Sequence, residues 1–207
     1  MLTHFAAALG VLGLLTVVPG PDMAVVTRRA LVAGPGDALR TVGGITTGLL
    51  LWGALSVAGL AAVLAASPTA YLVVKLLGAA YLVFLGAQAL WQNRRSASHA
   101  TRTGSGSPAV GSPWRTGLVS NALNPKIAVF YSGLLPTLAP PQLPAAWAMT
   151  LLVLLHATLT LTWLGGYALL LSRAGRVLER PGTRRVLGRT TGVVLIGLGL
   201  VVATTAG

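Results

Sequence analysis

The chain has 207 residues, 54% of them hydrophobic and 9% charged, with a mean hydropathy of +0.78, whereas a soluble domain carries about a quarter of charged residues. Three carboxylates, three histidines and no cysteine are too little ligand chemistry for a zinc, iron or calcium cluster and exclude disulfides and thiol redox work, so neither a metal nor a cofactor is expected. A net charge of +12 comes without the soluble basic face or aromatic platform of a nucleic-acid binder, so no nucleic-acid partner is expected either.

Crossing about 30 Å of hydrocarbon takes about 20 apolar residues. In chain order, stretches of that kind run at about Leu2–Val26, Thr41–Ala65, Ala70–Trp91, Thr116–Leu138, Ala145–Leu171 and Gly188–Ala203. Six spans predict an all-α protein embedded in a lipid bilayer. The first apolar run has no cationic region before it and no small-residue cleavage site after it, so it is expected to be a retained span. Between the third and fourth spans, the SASHATRTGSGSPAVGSP segment is too polar and glycine-rich to bury a core. It predicts a flexible linker, residues 96–112, between two halves at 1–95 and 113–207.

The arginines give the orientation. Arg28, Arg29 and Arg40 follow the first span, Arg94, Arg95, Arg102 and Arg115 lie between the third and fourth, and the remaining six, Arg173 to Arg189, lie between the fifth and sixth. The turns around Ser67-Pro68 and Ala139–Pro144 hold no charge. By the positive-inside rule the arginine loops, including the linker, are cytoplasmic and both termini are extracytoplasmic. The basic excess is thus topological, with contact to anionic headgroups as its companion.

Three spans per half force the second half to enter the membrane inverted. The segment Gly20-Pro21-Asp22-Met23-Ala24-Val25-Val26 lies on Asn124-Pro125-Lys126-Ile127-Ala128-Val129-Phe130, matching Pro, Ala and Val and opposing Asp to Lys; Lys75-x-x-Gly78 likewise lies on Arg189-x-x-Gly192. Proline removes a backbone donor and clashes with the preceding turn, so Pro19-Gly20-Pro21 and Asn124-Pro125 are expected to break the first and fourth spans. Paired interrupted spans in two halves point to a transporter's binding site; the competing reading is a pair of simple proline kinks.

Asp22 and Lys126 follow those breaks and are ionisable groups inside apolar spans, which face the interior or water. An amino acid zwitterion presents one ammonium and one carboxylate, so this complementary pair predicts a substrate site. The competing reading is an ion pair holding the halves together. Asp22 is about 9 Å along a helix from Arg28 and Lys126 about 17 Å from Arg115, which leaves open whether they share one level. His156, near the middle of span five, is a candidate proton relay, against a hydrogen-bonded interior histidine. Gly43, Gly44 and Gly48 with Thr46 and Thr47 read first as small-residue helix packing, and Thr47 second as substrate lining. Lys75 is close enough to the outer end of span three to snorkel. Trp52, Trp91 and Trp163 read as packing or interfacial anchors, and glycine-bearing helices allow a homodimer.

With PGPD at 19–22, KLLGAAYLVFLGAQAL at 75–90 and NPKIAVFY at 124–131, in this order and in a six-span chain, the sequence resembles the LysE/RhtB family of bacterial amino acid exporters over essentially its whole length. The resemblance implies export of amino acids or related metabolites across the cytoplasmic (inner) membrane of a bacterium, coupled to the proton gradient, and no enzymatic activity. It implies substrate and gating positions at Pro19, Gly20, Pro21, Asp22, Asn124, Pro125 and Lys126. Trp52 stands where some members have a histidine, so a role attached to that histidine has no carrier here. Two other classes compete. A channel-like pore of the aquaporin kind needs a second NPA-like motif, which GPD is not, and cytoplasmic termini. An intramembrane serine hydrolase would use Ser132 and His156, but Val-Phe-Tyr precedes Ser132 without the expected glycine.

Overall fold

The computed structural model describes residues 2–66 and 111–178, with further helical positions scattered between 69 and 91 and between 186 and 203. Among the described residues the regular structure is all helical. Helix α1 (Leu2–Val17) runs into a break at Val18–Gly20, and α2 (Pro21–Val32) leaves it bent by 50°. The local chemistry explains the break: Gly20 is extended (φ −151°, ψ −170°) and Pro21 opens the new helix, where a missing N–H costs nothing. Gly34, at φ +85°, makes the turn that a β-carbon would strain, and Pro35 opens α3 (Pro35–Ala66).

After the linker, α4 (Pro113–Ala122) stops at a second break. Asn124 caps α5 (Pro125–Val129), its Oδ1 accepting the Lys126 backbone N–H at 3.1 Å. The chain then winds as a π-helix over Phe130–Leu134 and a 3-10 turn over Leu135–Leu138, and α6 (Ala145–Leu178) follows. Both expected breaks are therefore present at their prolines.

Among the described residues, segments of α3 and α6 are long and apolar enough to cross a membrane, and the bent α1/α2 pair makes a third if counted as one span. Several boundaries differ from expectation. Helix α2 runs six residues past Val26, α3 starts at Pro35, and α6 passes Leu171 to reach Leu178. Arg28, Arg29 and Arg40 are consequently helical rather than loop residues. The predicted fourth span is a series of short pieces, because Pro125 and Pro136 interrupt its hydrogen bonding. Lys75, Gly78, Gly192 and residues 96–110 of the linker lie outside the described residues.

Glycine sets how closely α3 and α4 approach. A β-carbon on Gly44 would overlap the Trp114 carbonyl, one on Gly117 the Thr41 carbonyl, and one on Gly48 would come within 2.7 Å of Asn121 Oδ1. Two apolar clusters flank the middle of the bundle. One gathers Leu12, Leu15, Leu49, Ile127, Phe130 and Leu152. The other gathers Met23, Val26, Val42, Ile45, Leu164 and Ala168. Leucines 51, 55, 154 and 170 are each more than half exposed, an outer surface suited to lipid rather than water.

At the arginine-bearing end Arg29 is buried, because it finds acceptors on the other half of the chain. Its Nη2 donates to Thr116 Oγ1 (2.8 Å) and the Gly111 carbonyl (3.2 Å), and its Nη1 lies 4.0 Å from Asp37, which also pairs with Arg40. A charge read as topological, with headgroup contact as its companion, thus also ties α2 to α4.

Candidate functional site

The site lies where the two breaks meet. Asp22, in the first turn of α2, is buried, and its carboxylate accepts three hydrogen bonds: from Ser120 Oγ (2.7 Å), Asn121 Nδ2 (2.8 Å) and Asn124 Nδ2 (2.9 Å). All three donors belong to the last turn of α4 or to the break after it. Lys126, in the first turn of α5, is also buried, and its ammonium donates to the carbonyls of Val18 (3.1 Å) and Leu15 (3.2 Å) at the end of α1. A cation there complements carbonyls left without partners and the negative end of the helix dipole. The arrangement is reciprocal: the charge after each proline bonds the end of the helix before the other break.

Among the described residues Asp22 and Lys126 form no ion pair, the ion pairs there being those of Asp37. They do line one cavity, between the two apolar clusters, of about 30 Å³, room for a water or two. Its wall includes Leu15, Thr16, Met23, Ile45, Asn121, His156, Thr160 and Leu164. A carboxylate has about four acceptor places and an ammonium three donors; three and two respectively are filled, so each keeps one place. Gly20 lies against the ammonium, where a β-carbon would come within 3.3 Å of Lys126 Nζ.

His156 is buried on α6, and its Nδ1 lies 3.1 Å from Tyr131 Oη. The two rings stack at 5.7 Å, with Phe130 edge-on at the same distance from the imidazole. The π-helix supplies both aromatic rings; such turns occur frequently at functional sites.

The structure brings together Asp22, Lys126, Gly20 and His156 of the expected residues. Asn124 sits beside them with both ends of its amide engaged, one on Asp22 and one on its own helix cap. Thr47 does not line the cavity, and its hydroxyl bonds the Gly43 carbonyl (2.9 Å). Ser132 is exposed, bonding the carbonyls of Ala128 and Val129, while His156 is turned to Tyr131, so the two do not form a hydrolase pair. Ser120, Asn121, Tyr131 and Thr160 were not foreseen. For the first two a signal existed: Ser120-Asn121-x-x-Asn124 puts three polar side chains on one short stretch of an otherwise apolar segment.

Buried opposite charges at two proline breaks, in a helical bundle with segments apolar enough to cross a membrane, fit the class of multi-pass membrane proteins. The chain belongs to the LysE type translocator family, whose model matches residues 14–206. It is 26% identical over 191 residues to the homoserine/homoserine lactone efflux protein of Salmonella typhimurium (92% of this chain and 91% of the relative). It is also 26% identical over 152 residues to the threonine efflux protein of Salmonella typhi (70% of each). To the uncharacterized membrane protein YrhP of Bacillus subtilis it is 25% identical over 201 residues, 94% of this chain and 95% of the relative. No solved structure matches the chain.

Proposed function

We propose that this protein is a secondary transporter that exports amino acids or related small metabolites from the bacterial cytoplasm across the inner membrane, driven by the proton gradient. One observation carries the reading: Asp22 and Lys126 line a single cavity, and each keeps one hydrogen-bonding place. The cavity holds only a water or two as it stands, so the substrate enters as α2 moves away from α4, its ammonium then taking the place on Asp22 and its carboxylate the place on Lys126. The efflux names of the relatives support the direction of transport.

Alternating access follows from the flanking clusters, one opening while the other stays closed. Asp22 and Arg29 are seven residues apart on one face of α2, and both bond α4. Movement of α2 away from α4 therefore releases both at once. In this reading the spans form two inverted three-helix repeats, 1–95 and 113–207, with both termini outside and the arginine-bearing end in the cytoplasm; the reciprocal bonding across the breaks supports it. A channel-like pore is less well supported, since a water path would have to pass both clusters.

The test is efflux from vesicles loaded with each of the twenty amino acids under an imposed proton gradient. Acceleration over protein-free vesicles for at least one is expected, and none for any would overturn the reading. In the same assay His156→Gln is expected to abolish gradient-driven export while leaving substrate counterflow largely intact, as a proton relay requires; unchanged driven export would return His156 to a packing role. Orientation is checked separately. The chain has no cysteine, so single cysteines report cleanly. A cysteine at the exposed Gln142 should label from outside intact cells, and one at Arg40 only after permeabilisation. The opposite pattern reverses the topology.

A further inference from the structure

We propose that Tyr131 is a positioning residue for proton transfer: its phenolic oxygen holds His156 by Nδ1–H, so that Nε2 is the nitrogen through which the imidazole exchanges protons with the cavity. The inference rests on reading His156 as the relay and adds to it the residue that decides which ring nitrogen works.

Tyr131 is a buried titratable side chain with no part in the bonding of Asp22 and Lys126. It is 0% exposed and belongs to the apolar cluster of Leu12, Leu134, Met149 and Leu152, where a phenylalanine would fill the same place without burying a hydroxyl. The hydroxyl bonds His156 Nδ1 at 3.1 Å. The π turn sets two consecutive residues against one imidazole, Tyr131 stacked on it at an interplanar angle of 27° and Phe130 edge-on at 61°. A ring packed between them and bonded at Nδ1 cannot turn over to exchange its nitrogens without displacing both neighbours. His156 lines the cavity, and with Nδ1 turned to Tyr131 it is Nε2 that is left for the cavity. There it shares the wall with two charged groups, Asp22 of α2 and Lys126 of α5; the wall residues from α1 and α3, such as Thr16 and Ile45, are uncharged.

The chemistry depends on where the ring hydrogen sits. A neutral imidazole carries one N–H and one lone pair, and a tyrosine oxygen can accept as well as donate. With Nδ1–H on Tyr131 Oη, Nε2 keeps its lone pair toward the cavity. It takes a proton from a hydrated proton there, leaving water and an imidazolium, and returning that proton from Nε2 to water restores the neutral ring. Nδ1–H stays on Oη throughout, so neither side chain has to move. Without the oxygen, Nδ1–H has no acceptor in the apolar cluster, and the neutral ring carries its hydrogen on Nε2, where cavity water accepts it. A nitrogen that already carries a hydrogen takes no further proton.

The experiment uses proteoliposomes of the full chain and, as probe, the labelled form of whichever of the twenty amino acids wild type exports fastest. Gradient-driven export of each variant is divided by its counterflow of the same amino acid. Tyr131→Phe removes one oxygen and keeps the ring, and it is expected to lower that ratio at least about tenfold; loosened packing would slow both processes together and leave the ratio alone. In parallel, nitrogen NMR of histidine-labelled protein in micelles reads the ring hydrogen directly. The chain has three histidines, His4, His99 and His156, and the ring signals lost in His156→Gln are those of His156. The neutral ring is expected to carry its hydrogen on Nδ1 in wild type and on Nε2 in Tyr131→Phe. An unchanged ratio in Tyr131→Phe, where His156→Gln loses driven export, overturns this proposal alone. A wild-type hydrogen on Nε2 does the same, and that readout stands even if Tyr131→Phe fails to insert. Driven export unchanged in His156→Gln overturns the relay reading and this proposal with it, and transport of none of the twenty overturns the exporter reading beneath both.

Discussion

Asp22→Asn and Lys126→Gln are each expected to reduce export at least about 100-fold while the protein still inserts and folds. Asp22→Asn is close to a pure charge removal. The asparagine carbonyl can accept from Asn121 and Asn124, and its amide can face Ser120, whose hydroxyl reverses to accept. What is lost is the anion for the substrate ammonium, and an uncompensated charge at membrane depth costs about 2.5–3.5 kcal/mol, which converts to roughly a hundredfold. Lys126→Gln retains a donor for one of the two α1 carbonyls and loses the cation for the substrate carboxylate. The charge swap Asp22→Lys with Lys126→Asp separates binding from structure. It sets a carboxylate against the carbonyls of Leu15 and Val18 and an ammonium against the amide donors of Asn121 and Asn124, so it should be inactive. Vesicle counterflow alongside a folding assay measures both, and near-native export by the swapped protein would remove these residues from substrate binding.

The second large effect is on stability and lies on the seam between α3 and α4. Gly44→Ala and Gly117→Ala should each destabilise the protein by about 3 kcal/mol. The new methyl groups meet backbone, the Trp114 carbonyl and Leu118 nitrogen in one case and the Thr41 carbonyl and Ile45 nitrogen in the other, so the helices themselves have to separate. Because α4 carries Ser120 and Asn121, that separation also draws donors off Asp22 and lowers transport. Gly43→Ala is the control: its β-carbon would meet nothing nearer than 3.9 Å, and alanine's better helix propensity leaves stability unchanged or slightly raised. Denaturant-induced unfolding in mixed micelles distinguishes the three, and equal stability of all of them would show that the seam is looser than its geometry.

The arginine tie at the other end of that seam illustrates a limit of pattern reasoning. Arg29 follows an apolar run as a topological loop charge would, yet α2 continues through it to Val32 and buries the guanidinium. Burial is tolerable because Thr116, the Gly111 carbonyl and Asp37 supply acceptors. Those acceptors lie up to 87 residues away in the chain, so no local window contains the reason.

The sequence by itself determined the helical class, the two breaks and the two charges beside them, since each is a local consequence: proline has no N–H to give, and an ionisable group in an apolar run needs an interior partner. The tertiary structure alone decided what those charges touch. Asp22 reaches donors 98 to 102 residues away, and Lys126 reaches carbonyls 108 and 111 residues back. It also decided which threonines count, leaving Thr47 bonded to its own helix and turning Thr160 inward. Thr158, Thr160 and Thr162 alternate along one helix with leucines between them, and which of them faces the cavity depends on how α6 is rotated by the helices packed around it, a property of the assembled bundle that the spacing of residues along one chain does not contain.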